Sequence, residues 1–162
     1  MNTIIFELIE LSIWSGIAAV GFSILFNVPR KSIITIFILG FGAGLIKFLM
    51  LHFNVNIVFS SFLGAFFVGL ISIPLAHKIH LPPVVFTIPT IIPMIPGFYA
   101  YETVLYVMKY TLVEKDISKK YELINGIFSN GFNMVFILIA ITLGITIPML
   151  LLRKSTVKRV NN

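Results

Sequence analysis

Apolar residues fill this chain in long continuous stretches that are broken by short polar gaps and do not alternate with polar positions. Such runs exclude the dyad repeat of a membrane β-barrel. A helix needs roughly 20 apolar residues to cross a hydrocarbon layer of about 30 Å. Five stretches meet that requirement, near 4–26, 32–51, 56–76, 83–109 and 124–152. The pattern predicts an all-α polytopic membrane protein, a single transmembrane domain over 1–162 with about five transmembrane helices. Between the spans lie short gaps at 27–31, 52–56 and 77–82, and a longer polar stretch at 109–122. That stretch mixes Lys115, Lys119 and Lys120 with Glu114, Asp116 and Glu122, and reads as a solvated loop. No period of 20–50 residues repeats, which excludes a solenoid.

Composition agrees with the pattern. Hydrophobic residues make up 58% of the chain and charged ones 11%, against about 25% charged in soluble domains. Twelve basic and six acidic side chains cannot enclose a core of this size in polar surface, so lipid must replace it. Cysteine is absent, which removes disulfides, thiolate metal sites and cysteine nucleophiles. The net charge of +6 lies in the gaps rather than on an aromatic-interleaved face, so it reads as an orientation signal and not as a nucleic-acid surface. Glu7 and Glu10 stand where a signal peptide has a positive region, and no small-residue cleavage site follows, so the first run reads as retained.

Five spans put the termini on opposite sides. With the N-terminus outside and the C-terminus in the cytoplasm, the inside receives Arg30, Lys31, Lys78, Arg153, Lys154, Lys158 and Arg159. The outside then receives Lys47 and the mixed 109–122 stretch. If the 83–109 run is re-entrant, both termini share one side.

That fourth run carries the most chemistry. Pro82, Pro83, Pro89, Pro93, Pro96 and Gly97 fall within it or at its start. Each interior proline removes a donor and clashes one turn back, at about 3 kcal/mol or more in an ordinary helix. Broken backbone at membrane depth is tolerated where it is buried in protein or lines a polar cavity, as in the discontinuous helices of transporters. The sequence predicts a second half-helix from about Pro96-Gly97, whose first N–H groups can receive a carboxylate. The plainer alternative is a kinked structural helix.

Glu102 is the acid inside this run, with Tyr99 and Tyr106 at helical spacing on its face. It is a proton-coupling candidate, or simply an acid stabilised by a helix N-terminus. Lys47 follows the glycines at 40, 42 and 44, and either meets a substrate carboxylate or snorkels to the interface. Gly40 and Gly44 form a small-xxx-small packing pair, and glycines at 64, 69, 126 and 131 argue likewise for close helix contacts. Asn125, Ser129, Asn130 and Asn133 lie largely on one face, lining a pathway or bonding between helices. His77 and His80, with no third ligand nearby, make no convincing metal site. No Ser-His-Asp spacing, HExxH, phosphate loop or dinucleotide fingerprint occurs, so neither an enzyme nor a cofactor is expected.

The segment GFSILFNVP at 21–29, VFT at 85–87 leading to IPMIPG at 92–97 with Ala100 and Tyr101 after it, and Ile147-Pro148 ahead of Arg153-Lys154 resemble the threonine/serine exporter family. The length is similar to that of the small integral membrane subunit of its two-component members, which include bacterial succinate exporters. The resemblance covers nearly the whole chain. It implies a cytoplasmic-membrane subunit of a secondary exporter for small carboxylates or hydroxy amino acids, working with a larger partner subunit. The residues and the resemblance together lead to expected roles for Pro89, Pro93, Pro96 and Gly97 as unwound backbone at a substrate site, for Lys47 at the substrate carboxylate, and for Tyr99 and Tyr101 as hydrogen-bonding groups. Lys47 matches a position where relatives can place a basic residue, whereas Glu102 is not part of the family pattern. The other reading is a non-transporting assembly or stabilising subunit.

Overall fold

The computed structural model describes residues 2–113 and 116–152. Its α-helices are α1 (Asn2–Leu25), α2 (Ile33–His52), α3 (Ile57–Ile79), α4 (Val84–Ile91), α5 (Gly97–Met108) and α6 (Ile117–Leu151). Short 3-10 turns at Arg30–Ser32 and Ile92–Met94 lead into α2 and out of α4, and a π-helical turn at Lys109–Val113 extends α5. The helices α1, α2, α3 and α6 are each long and apolar enough to cross a membrane. The segments Val84–Met94 and Gly97–Val113 pass that test together, as a pair bent by 47°, and supply the fifth crossing if both halves make one span. The chain is a multi-pass membrane protein.

Three helices end in the same way. Asn27, Asn54 and His80 have φ of 54°, 57° and 59°. The residue after each reaches back to close a Schellman motif: Val28 N–H to Ser23 carbonyl at 3.0 Å, Val55 to Met50 at 3.0 Å and Leu81 to Ala76 at 3.1 Å. Asparagine tolerates the left-handed region because its short polar side chain bonds locally. The FNVP turn is therefore a stop signal with a mechanism. Asn27 ends α1, Pro29 cannot continue it, and the Pro29 carbonyl accepts the Ser32 N–H at 2.8 Å as the chain reverses into α2.

Helix pairs in lipid gain little from apolar burial and depend on close backbone approach. The α1–α2 seam shows this at Gly40 and Gly44. A Cβ on Gly40 would lie 2.7 Å from the Ala19 Cβ, and one on Gly44 would lie 2.8 Å from the Ser15 Cβ. The α3–α6 seam is as tight, with the Phe62 carbonyl oxygen 2.8 Å from a Cβ built on Gly144. Against these pairs α4 lodges among α1, α2 and α3, while α5 packs on α6. One buried cluster joins Ala43, Ala65, Val68, Met94, Ile137 and Ile141, and a second joins Ala19, Ile36, Leu39, Ala76 and Phe86.

Two sequence expectations change. Within 109–122, residues 109–113 continue α5 and residues 117–122 belong to α6, so this stretch is mostly helical rather than a loop. Asp116 caps α6 by accepting the Ser118 N–H at 3.1 Å, and the Lys120 ammonium sits 5.2 Å from the Tyr110 ring centroid. With 35 residues α6 is about 52 Å long, more than one crossing of the hydrocarbon layer requires. His77 and Lys78 are the last turn of α3 rather than loop residues. Glu114, Lys115, Arg153, Lys154, Lys158 and Arg159, which enter the orientation argument, lie outside the described residues.

Candidate functional site

The break between α4 and α5 is built one proline at a time. Pro89 lies inside α4, which continues for two residues past it despite the lost donor to the Val85 carbonyl. Here neighbouring helices support the segment, since Phe86, Thr87, Pro89 and Thr90 are all buried. Thr90 Oγ1 donates to the Phe86 carbonyl at 2.7 Å. Pro93 then tightens the chain into the 3-10 turn, closed by the Ile95 N–H on the Ile92 carbonyl at 3.0 Å. Ile95, restricted by the proline after it, turns extended at φ −59° and ψ 133°. Pro96 follows at φ −78° and ψ 62°, an inverse γ-turn whose Gly97 N–H donates to the Ile95 carbonyl at 2.8 Å. From there α5 starts afresh at Gly97. Its first intrahelical bond runs from Ala100 N–H to the Pro96 carbonyl at 3.2 Å.

Lys47 reaches this break. Its Nζ donates to the Met94 carbonyl oxygen at 3.4 Å, a long charge-assisted contact across two helices. Lys47 is half-buried, while Met94 is only 2% exposed. The nearer end of α2, at His52, is about 7 Å further along the axis, and the ammonium does not turn toward it.

The other candidates divide into two groups. Pro93 and Tyr99 are half-buried and Pro96 is buried beside the same break, with Tyr99 packed against the cluster that holds Met94. Gly97 is exposed, and a Cβ there would meet none of the described residues within 4 Å. Tyr101 is 62% exposed on the outer face of α5, turned away from Tyr99. Pro89 lies more than a turn earlier, within α4. Glu102 is half-buried on α5, and Tyr106 one turn later packs its ring on Gly126 of α6.

On α6 the polar face is partly self-satisfied, because Asn130 Nδ2 donates to the Gly126 carbonyl of its own helix at 2.9 Å. Asn125 and Ser129 are exposed. His77 is exposed and His80 serves as the left-handed cap of α3. Among the described residues no group of three or more metal-ligating side chains comes together.

Two features of the site escape sequence reasoning. The acceptor for Lys47 is a backbone carbonyl, which no residue type announces. Ser61, fully buried on α3, is hidden within an apolar run. The pair Ser60-Ser61 three residues before Gly64 is its one visible signal.

Residues 11–151 match the family described as Threonine/Serine exporter, ThrE. A relative from Haemophilus influenzae, described as an uncharacterized protein, is 34% identical over 139 residues, which is 86% of this chain and 46% of the relative. The chain thus spans about half the length of that curated relative. No solved structure matches. With a family match that extends from the first span to the end of α6, the chain belongs to the threonine/serine exporter family.

Proposed function

We propose that this chain is a membrane subunit of a secondary exporter for hydroxy amino acids or small carboxylates, and that it works with a larger partner subunit of the same family. The observation that carries the reading is the Lys47 ammonium on the Met94 carbonyl at the helix break. A half-buried cation inside a span is costly and marks a substrate or ion pathway by default. Its contact with Met94 is long enough to be exchanged for the stronger pairing that a carboxylate offers. Pro93, Pro96 and Gly97 keep the backbone open there, and Tyr99 adds a hydrogen-bonding group. Tyr101, on the outer face, meets the partner subunit. Glu102 is the coupling carboxylate.

The relative from Haemophilus influenzae is long enough to carry a second half of similar size, which supports a two-part exporter. Two five-span halves in opposite orientation place a shared site at their interface, with this chain running from outside to cytoplasm. Efflux of labelled threonine and labelled succinate from cells making this chain alone, and then with its large partner, tests the proposal. Export that needs both chains supports it. Export by this chain alone removes the two-part model, and partner abundance that changes without any export favours an assembly subunit.

A further inference from the structure

Lys47 accounts for a carboxylate, and Tyr99 adds a hydrogen-bonding group, but neither is specific for a substrate hydroxyl. The turn at 53–56 returns the chain from α2 into α3 as an antiparallel pair. Their register is set where the Ala43 carbonyl oxygen lies 2.9 Å from a Cβ built on Gly64. Four residues onward along α2, and four back along α3, bring the backbone of Lys47 about level with that of Ser60 and Ser61, about one helical turn from that contact, and the lysine stem runs back from there toward Met94. Met94 closes the third side. Its Cε lies 2.6 Å from a Cβ built on Gly64, while its carbonyl takes the lysine.

Ser61 is fully buried, and its Oγ has no hydrogen-bond partner among the described residues. A serine inside a helix has an easy remedy, a bond to a carbonyl one turn back. Its neighbour Ser60 takes it, donating to the Asn56 carbonyl at 3.0 Å. Ser12 and Ser72 do the same, on Leu8 at 2.6 Å and on Gly69 at 3.0 Å. A buried hydroxyl left without a hydrogen bond is costly, so a spare hydroxyl near the level of a half-buried cation calls for a ligand. Ser32 Oγ likewise has no partner among the described residues. It precedes α2, about 22 Å along the axis from Lys47, and belongs to no such cluster.

We infer that Ser61 is a specificity-determining residue of the Lys47 site, hydrogen-bonding a hydroxyl group of a small substrate whose carboxylate is held by Lys47. The inference rests on the exporter reading above. The site is closed in this structure. A substrate enters by drawing Lys47 off the Met94 carbonyl, and the unbranched Met94 side chain leaves Gly64 by a change of rotamer. Lys47 then exchanges a long contact for an ion pair, and Ser61 gains the partner it lacks.

The test is efflux of L-threonine and of L-2-aminobutyrate, which has the same skeleton without the hydroxyl, from cells making the chain and its large partner. The wild type is expected to prefer threonine. Ser61→Ala is expected to slow threonine about tenfold and leave 2-aminobutyrate unchanged, because a site built for a hydroxyl loses its discrimination with that bond. Ser61→Cys keeps the volume with only a weak donor, and gives the same loss where the alanine variant does not accumulate. Ser61→Thr retains the preference. An unchanged ratio in both Ser61→Ala and Ser61→Cys, a parallel fall for both substrates, or no preference in the wild type overturns the inference while the exporter reading stands. Failure of the wild type to export either substrate removes the inference, and it removes the exporter reading as well when labelled succinate is not exported either.

Discussion

Lys47 Nζ and the Met94 carbonyl oxygen, 47 residues apart in the chain, meet at 3.4 Å between α2 and the end of the α4 segment. The direction of the lysine follows from helix geometry. Each Cα–Cβ bond tilts toward the helix N-terminus, so the Lys47 stem leaves α2 pointing away from the nearby His52 end and toward the break. The terminal carbonyls of α4 and its 3-10 turn carry partial negative charge, which suits a cation there.

Replacing Lys47 by methionine keeps the volume and removes the charge. Export in the presence of the partner is expected to fall by ten- to a hundredfold, the range that corresponds to one charge-assisted hydrogen bond. Lys47→Arg is expected to retain a fraction of the rate, since it keeps the charge with a different fork geometry. Labelled efflux beside membrane abundance by immunoblot checks both variants. Normal efflux by Lys47→Met at normal abundance would remove the carboxylate role.

The break should depend more on Pro96 than on Pro89. Pro89 is absorbed within α4, whereas Pro96 forms the γ-turn from which α5 restarts. Pro96→Ala restores an N–H and a helical φ/ψ option, favouring a continuous helix across 95–97. Its expected effect is at least a tenfold loss of export with ordinary membrane insertion, and Pro93→Leu is expected to give a smaller loss. Because the chain has no cysteine, a Gly97→Cys reporter can read the change through its maleimide labelling rate in each background. An identical rate with and without Pro96→Ala would show that the turn does not need the proline.

Much of this arrangement is legible in the residues, for physical reasons. Continuous apolar runs mark the spans because the hydrocarbon thickness sets their length. Pro96-Gly97 marks the restart of α5 because proline cannot sit within a regular helix without removing a bond. Gly40 and Gly44 mark the α1–α2 seam by their spacing. The helical character of 109–113 and 117–122 is not visible, since the charges read as loop while Asp116 capping and the π-turn decide otherwise. Whether Lys47 snorkels outward or turns inward depends on the Met94 carbonyl, a backbone group. That the backbone of Ser61 lies about level with that of Lys47 depends on the α2–α3 register, and the outward turn of Tyr101 depends on which face of α5 packs on α6.

The glycine seams predict substitutions of opposite sign. A Cβ on Gly144 would lie 2.8 Å from the Phe62 carbonyl oxygen and 2.9 Å from the Ala65 Cβ, and neither neighbour is a flexible side-chain end. Gly144→Ala is expected to destabilise the bundle by about 1–3 kcal/mol through forced separation of α3 and α6. A Cβ on Gly21, exposed on α1, would meet none of the described residues within 4 Å. Gly21→Ala should be neutral or stabilising by up to about 1 kcal/mol through helix propensity. Thermal unfolding of the purified chain in detergent orders the three proteins, and equal midpoints for Gly144→Ala and Gly21→Ala would contradict the seam.

Orientation is the remaining prediction, and single cysteines in the cysteine-free chain can read it. Arg30, Lys31 and Lys78 flank the turns after α1 and α3, so basic-residue bias places these turns in the cytoplasm and the turn after α2 outside. Phe53 is exposed in the α2–α3 turn, and Pro82 is exposed between α3 and α4. A membrane-impermeant maleimide is expected to label Phe53→Cys in intact cells and Pro82→Cys only after permeabilisation. The reverse pattern would invert the chain. Ile117→Cys, exposed at the start of α6, decides whether the bent pair crosses. If Val84–Met94 and Gly97–Val113 together make one span, position 117 labels in intact cells with position 53. If they turn back within the membrane, 117 shares the behaviour of 82, α6 runs the other way, and the C-terminus lies on the same side as the N-terminus.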